Sequence, residues 1–331
     1  MAELRRSAAN LVAAFDGKPG IWLADPTQPD PIFTANPDEP FVTASLYKLA
    51  LLLHVERLVQ AGRLSYEDTI TIEEDDVRHG GANEYPGTVM TVDEALEGMI
   101  TFSDNGPALA FLRIFGPVSI NASLAAQKIA DFHIAASADE DNIVTPRALA
   151  TYFALLAERR LVSTAASERM LARLRRQHIN DRLPRKLPVG VTVAHKTGDL
   201  VGYAHDVGVI DVPGAQLVVV AMTSGASEEG AYDFIARLGS LAYSAYSPDP
   251  ARLPAPAPVV ALEPPQQQGA NDLMLAGVFI GGFGALLLAR RYARRRRVPK
   301  RAPRGPRPLG VWTPNRRSGG ARRGAGAVRR Q

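Results

Sequence analysis

The chain has 331 residues, of which 46% are hydrophobic and 22% charged, as expected of a globular protein with a substantial core. It contains no cysteine, which excludes disulfides, thiolate metal ligands and a cysteine nucleophile. The net charge of +4 conceals an asymmetry: residues 290–331 carry 16 Lys and Arg and no acidic residue, whereas the other 289 residues carry 22 basic and 34 acidic groups. The acidic main domain gives no reason to expect nucleic-acid binding.

The first 100 residues contain signals for helices and short strands. MAELRRSAANLVAAFDGKPG predicts an amphipathic first helix, because it lacks the sustained apolar core of a signal peptide. GIWLADP and PIFTAN predict the two short strands of a hairpin. A buried helix is expected from Ser45, because an apolar run from Leu49 to Leu53 follows it. TVDEALEGMI predicts another helix, since Thr91 and Glu94 form a capping-box pattern.

The rest of the main domain continues this alternation. TPRALATYFALLAERRLVS predicts a helix with Pro146 in its first turn. VTVAHKTGD, AHDVGVIDV and AQLVVVAMTSG predict three adjacent antiparallel strands, and EEGAYDFIARLGSLAYSAY predicts a last helix packed on them. The order predicts an α/β fold in which helices flank an antiparallel sheet. Its strands come from both ends of the chain, with an all-helical subdomain between them.

The composition changes after residue 248, which divides the chain into four predicted parts. Residues 1–248 form the folded domain, 249–271 a Pro-rich linker, 272–289 a transmembrane helix and 290–331 a basic, disordered tail. The spacing of Gly277 and Gly281 could pair two such spans as a dimer. The tail either attracts anionic lipid headgroups or serves only to fix the topology.

The predicted topology places the main domain outside the cytoplasm. Arginines directly follow the span, and such residues favour the cytoplasmic side. Export of the domain normally requires an N-terminal signal, and none is visible in the sequence. Either the true start lies upstream, which we favour, or the domain is cytoplasmic.

Ser45 and Lys48 are the first candidate site residues. Positions i and i+3 of a helix share one face, so the hydroxyl and the amine can meet. A serine becomes a good nucleophile when a base takes its proton, and a lysine can be that base when burial lowers its pKa. Alone, the S-x-x-K spacing is weak evidence, because a surface lysine accounts for most of its occurrences.

Two further triplets strengthen this interpretation. Ser103-Asp104-Asn105 follows an apolar helix, 58 residues after Ser45, and Lys196-Thr197-Gly198 ends a predicted strand 93 residues later. S-x-x-K, S-D-N and K-T-G in this order are the signature of class A β-lactamases and penicillin-binding proteins. Residues 1–248 therefore resemble the class A β-lactamase-like serine hydrolase family, and the helix start at DNIVTPRALATYFALL resembles it as well.

The chemistry and the resemblance agree on the catalytic roles. Ser45 is expected to attack an acyl carbonyl, and Lys48 to accept its proton directly or through water. Ser103 can pass a proton to the departing nitrogen. Lys196 is expected to support that proton chemistry and to attract a substrate carboxylate.

Substrate-binding roles are expected for five further residues. Thr197 can hydrogen-bond the substrate carboxylate, and Gly198 leaves room for substrate along the strand edge. Asn105 can hydrogen-bond a side-chain amide of the substrate. By resemblance, the backbone N–H groups of Ser45 and Asp199 would form the oxyanion hole. His205 either binds the carboxylate as a cation, as an arginine does in several class A enzymes, or is structural.

Two features limit what can be expected of the site. Asp199 stands where the family usually has a small residue, so its carboxylate would disfavour an anionic substrate. The six histidines have no H-E-x-x-H or similar ligand spacing, so neither a metal nor another cofactor is expected.

The resemblance to the family fails in the segment before the helix that begins near Pro146. The family has a second base there, a Glu in an E-x-x-L-N motif that hydrolyses the acyl-enzyme. This chain has DFHIAASADEDNIVTP, in which Asp139, Glu140 and Asp141 read best as a solvated turn. Three functions stay open: a membrane-anchored hydrolase of β-lactams or related amides with slow turnover, a D-alanyl-D-alanine peptidase acting on peptidoglycan stem peptides, and a sensor that is acylated without turnover.

Overall fold

A computed structural model of the protein describes residues 1–78, 81–137 and 140–247. The predicted linker, span and tail lie outside the described residues, as does Asp139. The helices are α1 Ala2–Ala13, α2 Tyr47–Gln60, α3 Glu74–Val77, α4 Val92–Thr101, α5 Asn105–Ala126, α6 Pro146–Ala157, α7 Thr164–Leu174 and α8 Glu228–Ser244. The strands are β1 Lys18–Ala24, β2 Phe33–Ala35, β3 Phe41–Val42, β4 Thr69–Thr71, β5 Val89–Thr91, β6 Phe132–His133, β7 Ile143–Val144, β8 Val193–Leu200, β9 Tyr203–Val212 and β10 Ala215–Ser224.

A five-stranded sheet joins the two ends of the domain. Its order is β2-β1-β10-β9-β8, and every neighbouring pair is antiparallel. Ile21 of β1 pairs with Ala221 of β10, and Gly198 of β8 pairs with His205 of β9. The arrangement confirms the predicted hairpin, the three adjacent C-terminal strands and the sheet built from both ends of the chain.

The sheet is covered by helices on both faces, which explains why its central strands are apolar throughout. Successive side chains of a strand point to opposite faces. Val219 and Ala221 of β10 therefore join a core with α1 and α8, whereas Val218 and Val220 join the core of the helical region. A strand buried on both faces needs a continuous apolar run rather than an alternating one.

The helical region is built around α2. Its apolar run from Leu49 to Leu53 is fully buried, and the helix contacts α4, α5 and α7. An apolar surface all round a helix is typical of one enclosed by others. The position of α2 brings its N-terminal turn, and with it Ser45 and Lys48, to the edge of the sheet beside β8.

The predicted helix starts are confirmed at α4 and α6. Thr91 caps α4 and exchanges hydrogen bonds with Glu94, which completes the capping box. Thr145 caps α6 by accepting a hydrogen bond from the Ala148 N–H, and Pro146 occupies the first turn. Both caps satisfy N–H groups that have no partner within the helix.

Helix α5 is long and apolar enough to cross a membrane, as are many core helices. It contacts α2 and α4, and its Phe111 and Ile120 are fully buried. Gly116 breaks its regular geometry with φ of 71°, directly before Pro117, which lacks the N–H that an unbroken helix needs. In this domain α5 is a kinked helix of the core.

Candidate active site

Ser45 lies in a single 3₁₀ turn, Ala44–Leu46, which leads directly into α2. The turn replaces the start of the α-helix that the sequence predicts from Ser45. Lys48 lies in the first turn of α2, and its Nζ is 3.1 Å from Ser45 Oγ. Ala44 has a φ of 44°, in the left-handed region that residues other than glycine seldom adopt. The strained turn fixes the serine beside the amine, as the S-x-x-K spacing predicts.

The Lys48 amine is buried among neutral oxygen acceptors. Its Nζ is 2.5 Å from the Ser103 carbonyl oxygen and 2.6 Å from Asn105 Oδ1, and Ser103 Oγ lies at 3.3 Å. Burial lowers the pKa of Lys48 to about 7, and the charge of nearby Asp104 opposes this shift only in part. A neutral amine has two hydrogens for the two shortest contacts, which leaves its lone pair for the Ser45 hydroxyl.

The S-D-N triplet joins α4 to α5, and its Asn105 is the first residue of α5. Ser103 has a φ of 59°, which turns the chain sharply after α4. Asp104 caps α5 by accepting from the Gly106 N–H at 3.0 Å, and it also accepts from the Asn83 N–H at 3.2 Å. These bonds aim Ser103 and Asn105 at Lys48.

Lys196 approaches Ser103 from strand β8. Its Nζ is 2.8 Å from Ser103 Oγ and 2.9 Å from the Thr197 carbonyl oxygen. Full burial, reinforced by the nearby charge of Lys48, holds the pKa of Lys196 well below its usual range. Ser103 therefore lies between two amines, and a proton can move between Ser45 and Ser103 through Lys48.

Thr197 and Gly198 form the wall of the site next to Ser45. The Thr197 Oγ1 atom is buried and has no hydrogen-bond partner among the described residues. A Cβ at Gly198 would lie 3.0 Å from the Thr43 carbonyl oxygen and 3.1 Å from Leu46 Cγ, so a larger residue would push against the turn that holds Ser45. The buried Thr197 hydroxyl therefore needs a hydrogen-bond partner from outside the described domain.

The Asp199 carboxylate is held by two residues that the sequence analysis missed. Arg182 donates to Asp199 Oδ1 from Nη1 at 2.7 Å, and the Tyr232 hydroxyl donates to the same atom at 2.9 Å. Arg182 is buried and stacks on the Tyr232 ring, with 4.0 Å from Cζ to the ring centroid. No motif marks Arg182 or Tyr232, because tertiary packing alone brings them to the strand.

His205 is not a carboxylate-binding cation, which corrects one of the two expectations for it. The ring is fully buried, its Nε2 donates to the Val42 carbonyl oxygen at 2.9 Å, and its Nδ1 accepts from the Thr223 N–H at 3.2 Å. Burial lowers the pKa of His205 to about 4. The neutral ring links β9 to β3 and has no nitrogen left for substrate.

The connection between β6 and β7 stands where the family has its second base, and this connection is short. Strands β6 and β7 pair with each other, and β7 pairs with β3, so this connection borders the Ser45 turn. Glu140 and Asp141 are exposed on it. The side-chain and carbonyl partners of Lys48 within the described residues belong to Ser45, Ser103 and Asn105, and none is a carboxylate. The described residues also contain no group of three or more His, Asp or Glu arranged to hold a metal.

Comparison with known proteins identifies the family of the chain. The model of the β-lactamase enzyme family matches residues 3–246. Beta-lactamase VEB-1 of Pseudomonas aeruginosa is 25% identical over 252 residues, which cover 66% of this chain and 81% of that protein.

Solved structures agree with this match. The β-lactamase of Sphaerobacter thermophilus is 26% identical, with a TM-score of 0.66 over 74% of this chain and 97% of its own. An ancestral class A β-lactamase is 25% identical, with a TM-score of 0.67 over 73% of this chain and 100% of its own. PBP-A, at 24% identity and a TM-score of 0.68 over 74% of this chain and 96% of its own, shares the fold. The chain belongs to the β-lactamase enzyme family and has the fold of its class A members.

Proposed function

We propose that the protein is a serine hydrolase that forms an acyl-enzyme at Ser45 with β-lactams or related amides. The observation that carries the proposal is the chain of contacts from Ser45 Oγ through Lys48 Nζ to Ser103 Oγ and Lys196 Nζ, at 3.1, 3.3 and 2.8 Å. The β-lactamases among its relatives support a β-lactam as the substrate.

The acylation step uses each member of this chain. Ser45 Oγ bonds to the substrate carbonyl carbon while its proton passes to Lys48. The resulting oxyanion accepts hydrogen bonds from the backbone N–H groups of Ser45 and Asp199, each worth about 10²–10³ in rate. The C–N bond then breaks, and Ser103 gives its proton to the departing nitrogen. Ser103 recovers a proton from Lys48, which returns the amine to its neutral form, while Lys196 holds the Ser103 hydroxyl in place.

The walls of the site orient the substrate. Asn105, whose side-chain oxygen accepts from Lys48, is expected to lie beside the acyl side chain of the substrate and to help orient it. The buried Thr197 hydroxyl donates to a substrate oxygen, which satisfies the one buried side-chain polar atom of β8 that lacks a partner in the described domain. Gly198 lets the substrate lie along the strand edge.

Release of the acyl group is expected to be slow. Hydrolysis of an acyl-enzyme needs a base that activates water, and the contacts of Lys48 within the described residues include no carboxylate that could do so. This observation favours a second candidate function, in which the acyl group comes from a D-alanyl-D-alanine stem peptide. A sensor that is acylated and does not turn over is the limiting case.

Mass spectrometry of the purified full-length chain tests the proposal. Incubation with excess benzylpenicillin should add one penicillin mass to the wild type and none to Ser45→Ala, while loss of β-lactam absorbance stays slow. A wild type without an adduct, or an equal adduct on Ser45→Ala, contradicts the nucleophile assignment. Rapid multiple turnover contradicts the slow release and would require a base that the proposal does not contain.

We also propose that residues 272–289 anchor the domain to a membrane, with the domain outside the cytoplasm. The support is the sequence alone, namely 17 uncharged residues from Leu273 to Ala289 followed by a cluster of arginines. Alkaline extraction of membranes should leave the full chain in the pellet and release a chain truncated after residue 248. Release of both would contradict the anchor.

A further inference from the structure

Residues 81–84, in the segment between α3 and β5, hold the S-D-N triplet from outside the three motifs. The Asn105 N–H donates to the Gly81 carbonyl oxygen at 2.9 Å. The Asn83 N–H donates to the Asp104 carboxylate, at 3.2 and 3.3 Å from its two oxygens, and Asn83 Nδ2 also donates to Asp104 Oδ2. Two of the three residues of the triplet therefore depend on this segment for part of their hydrogen bonding.

The Glu84 carboxyl group lies beside the Asp104 carboxylate at the start of α5. A Cβ at Gly106 would lie 2.7 Å from Glu84 Oε2 and 3.6 Å from Asp104 Oδ1, so the two carboxyl groups flank that glycine. Asp104 is 2% exposed, and Glu84 Oε2 is buried without a hydrogen-bond donor among the described residues. A buried carboxylate oxygen in this position is costly, because it loses water and gains no donor in return.

A proton on Glu84 Oε2 removes this cost, because the oxygen then becomes a donor to Asp104. Asp104 is the acceptor of the pair, since the Gly106 N–H and both nitrogens of Asn83 already donate to it, and such hydrogen bonds favour the charged form of a carboxylate. Burial and the charge of Asp104 raise the pKa of Glu84, and the backbone N–H groups of Glu84 and Asn83 oppose this shift only in part.

The pair lies next to the groups that are proposed to react. Asp104 is covalently flanked by Ser103 and Asn105, whose oxygen atoms accept from Lys48 Nζ at 2.5 and 2.6 Å. Within the described residues, Asp104 is the charged group that acts on Glu84, and its charge also acts on Lys48 of α2. A donor at position 84 therefore helps to keep Asp104, and with it both neighbours, in place.

We propose that Glu84 carries a proton that it donates to Asp104, and that Glu84 is thereby a positioning residue for Ser103 and Asn105. The role in the reaction rests on the proposed acylation of Ser45, whereas the shared proton is a property of the folded domain.

Unfolding of the full-length chain across pH measures the shared proton. Because the pKa of Glu84 is raised above its ordinary value of 4.5 in the folded state, the stabilisation from this proton is lost as the pH rises from 4.5 through the raised pKa. The unfolding equilibrium constant of the wild type should therefore increase relative to that of Glu84→Gln, by up to about tenfold per pH unit in this window. Glu67→Gln, which replaces an exposed carboxylate, is the matched control and should show no such trend relative to the wild type.

The single-turnover rate of penicillin adduct formation measures the positioning role. Glu84→Ala has no donor for Asp104 and should acylate about tenfold more slowly than the wild type, because the triplet is held less well. Glu84→Gln keeps a neutral donor and should restore most of the lost rate. Neither variant has a titratable group at position 84, so the ratio of their rates isolates the hydrogen bond to Asp104.

The outcomes separate this inference from the proposed function. A ratio of unfolding constants that stays flat above pH 4.5 overturns the shared proton, whatever the adduct shows. Equal acylation rates of Glu84→Ala and Glu84→Gln overturn the positioning role, while acylation of Ser45 stands. Absence of an adduct on the wild type overturns the proposed function and the positioning role together, and a ratio that rises with pH then supports the shared proton alone.

Discussion

Two clusters of buried basic side chains lie on either side of strand β8, and they differ in their partners. The amine cluster, Lys48 and Lys196, contacts hydroxyl, carbonyl and amide oxygens. The carboxylate cluster consists of Arg182 and His195 with Asp181, Asp199 and Asp206. Burial lowers the pKa of both lysines, whereas hydrogen bonds to two carboxylates raise that of Arg182 despite its burial.

The difference shows that the partners of a buried basic side chain decide whether it takes part in chemistry or stabilises the fold. A buried amine without a carboxylate partner is driven towards its neutral form and becomes a base. A buried cation with a carboxylate partner keeps its charge, and removal of that partner is costly. His195 lies in the same cluster, where its Nδ1 faces Asp206 Oδ1 at 2.8 Å and its Nε2 faces Asn180 Oδ1 at 3.1 Å. The comparison predicts that mutations in the amine cluster affect the reaction, and mutations in the carboxylate cluster affect stability.

The largest expected effect is the loss of acylation in Lys48→Met. Removal of a general base typically lowers the rate by about 10²–10⁴, and the loss should appear in the single-turnover rate of penicillin adduct formation. Folding stability should change by only about 1 kcal/mol, because Met fills the space and no buried carboxylate loses its partner. Lys48→Arg is the matched control, because its guanidinium stays protonated and cannot accept the Ser45 proton.

Two results with the Lys48 variants would contradict a purely chemical role for the amine cluster. If Lys48→Arg acylates as fast as the wild type, the amine does not act as a base. If Lys48→Met unfolds at a much lower denaturant concentration than the wild type, the amine cluster is structural as well.

A smaller but distinct effect is expected for Asp206→Ala, which should lower the free energy of unfolding by about 3–5 kcal/mol. Asp206 is fully buried, and its loss leaves His195 without a carboxylate and the Leu183 N–H without the acceptor now at 3.0 Å. Denaturant unfolding measures the change. Asp211→Ala is the control on the same strand, since Asp211 is a third exposed and pairs with Arg175 at 3.3 Å. The control should cost less than about 1 kcal/mol. Equal losses in both variants would contradict the distinction between the two clusters.

The sequence was sufficient for the fold and for the amine cluster. Ser45, Lys48, Ser103 and Lys196 were expected to act together because the three motifs, in this order, resemble the signature of the family, and each motif lies at a helix start, a turn or a strand. The sheet was predicted because the C-terminal strands have continuous apolar runs and the N-terminal hairpin has turn residues at its ends. Local patterns of this kind determine both the element and the direction of its side chains.

The carboxylate cluster could not be predicted from the sequence. Arg182 precedes Lys196 by 14 residues, and Tyr232 follows Asp199 by 33, so neither shares a motif with the strand they support. His205 pairs with Gly198 on the neighbouring strand, but pairing of strands does not reveal the direction of its ring. Its ring bonds to Val42, which is 163 positions away along the chain. Packing decides which distant segments make contact, and a single sequence does not predict that packing.

The pH dependence of acylation tests the central claim, that a neutral Lys48 activates Ser45, most directly. Because burial lowers the pKa of Lys48 to about 7, its basic form predominates above that pH and becomes about tenfold scarcer for each unit below it. The single-turnover rate of penicillin adduct formation should therefore rise about tenfold per unit up to pH 7 and level off above it. A rate that is flat between pH 5 and pH 9 would contradict the claim.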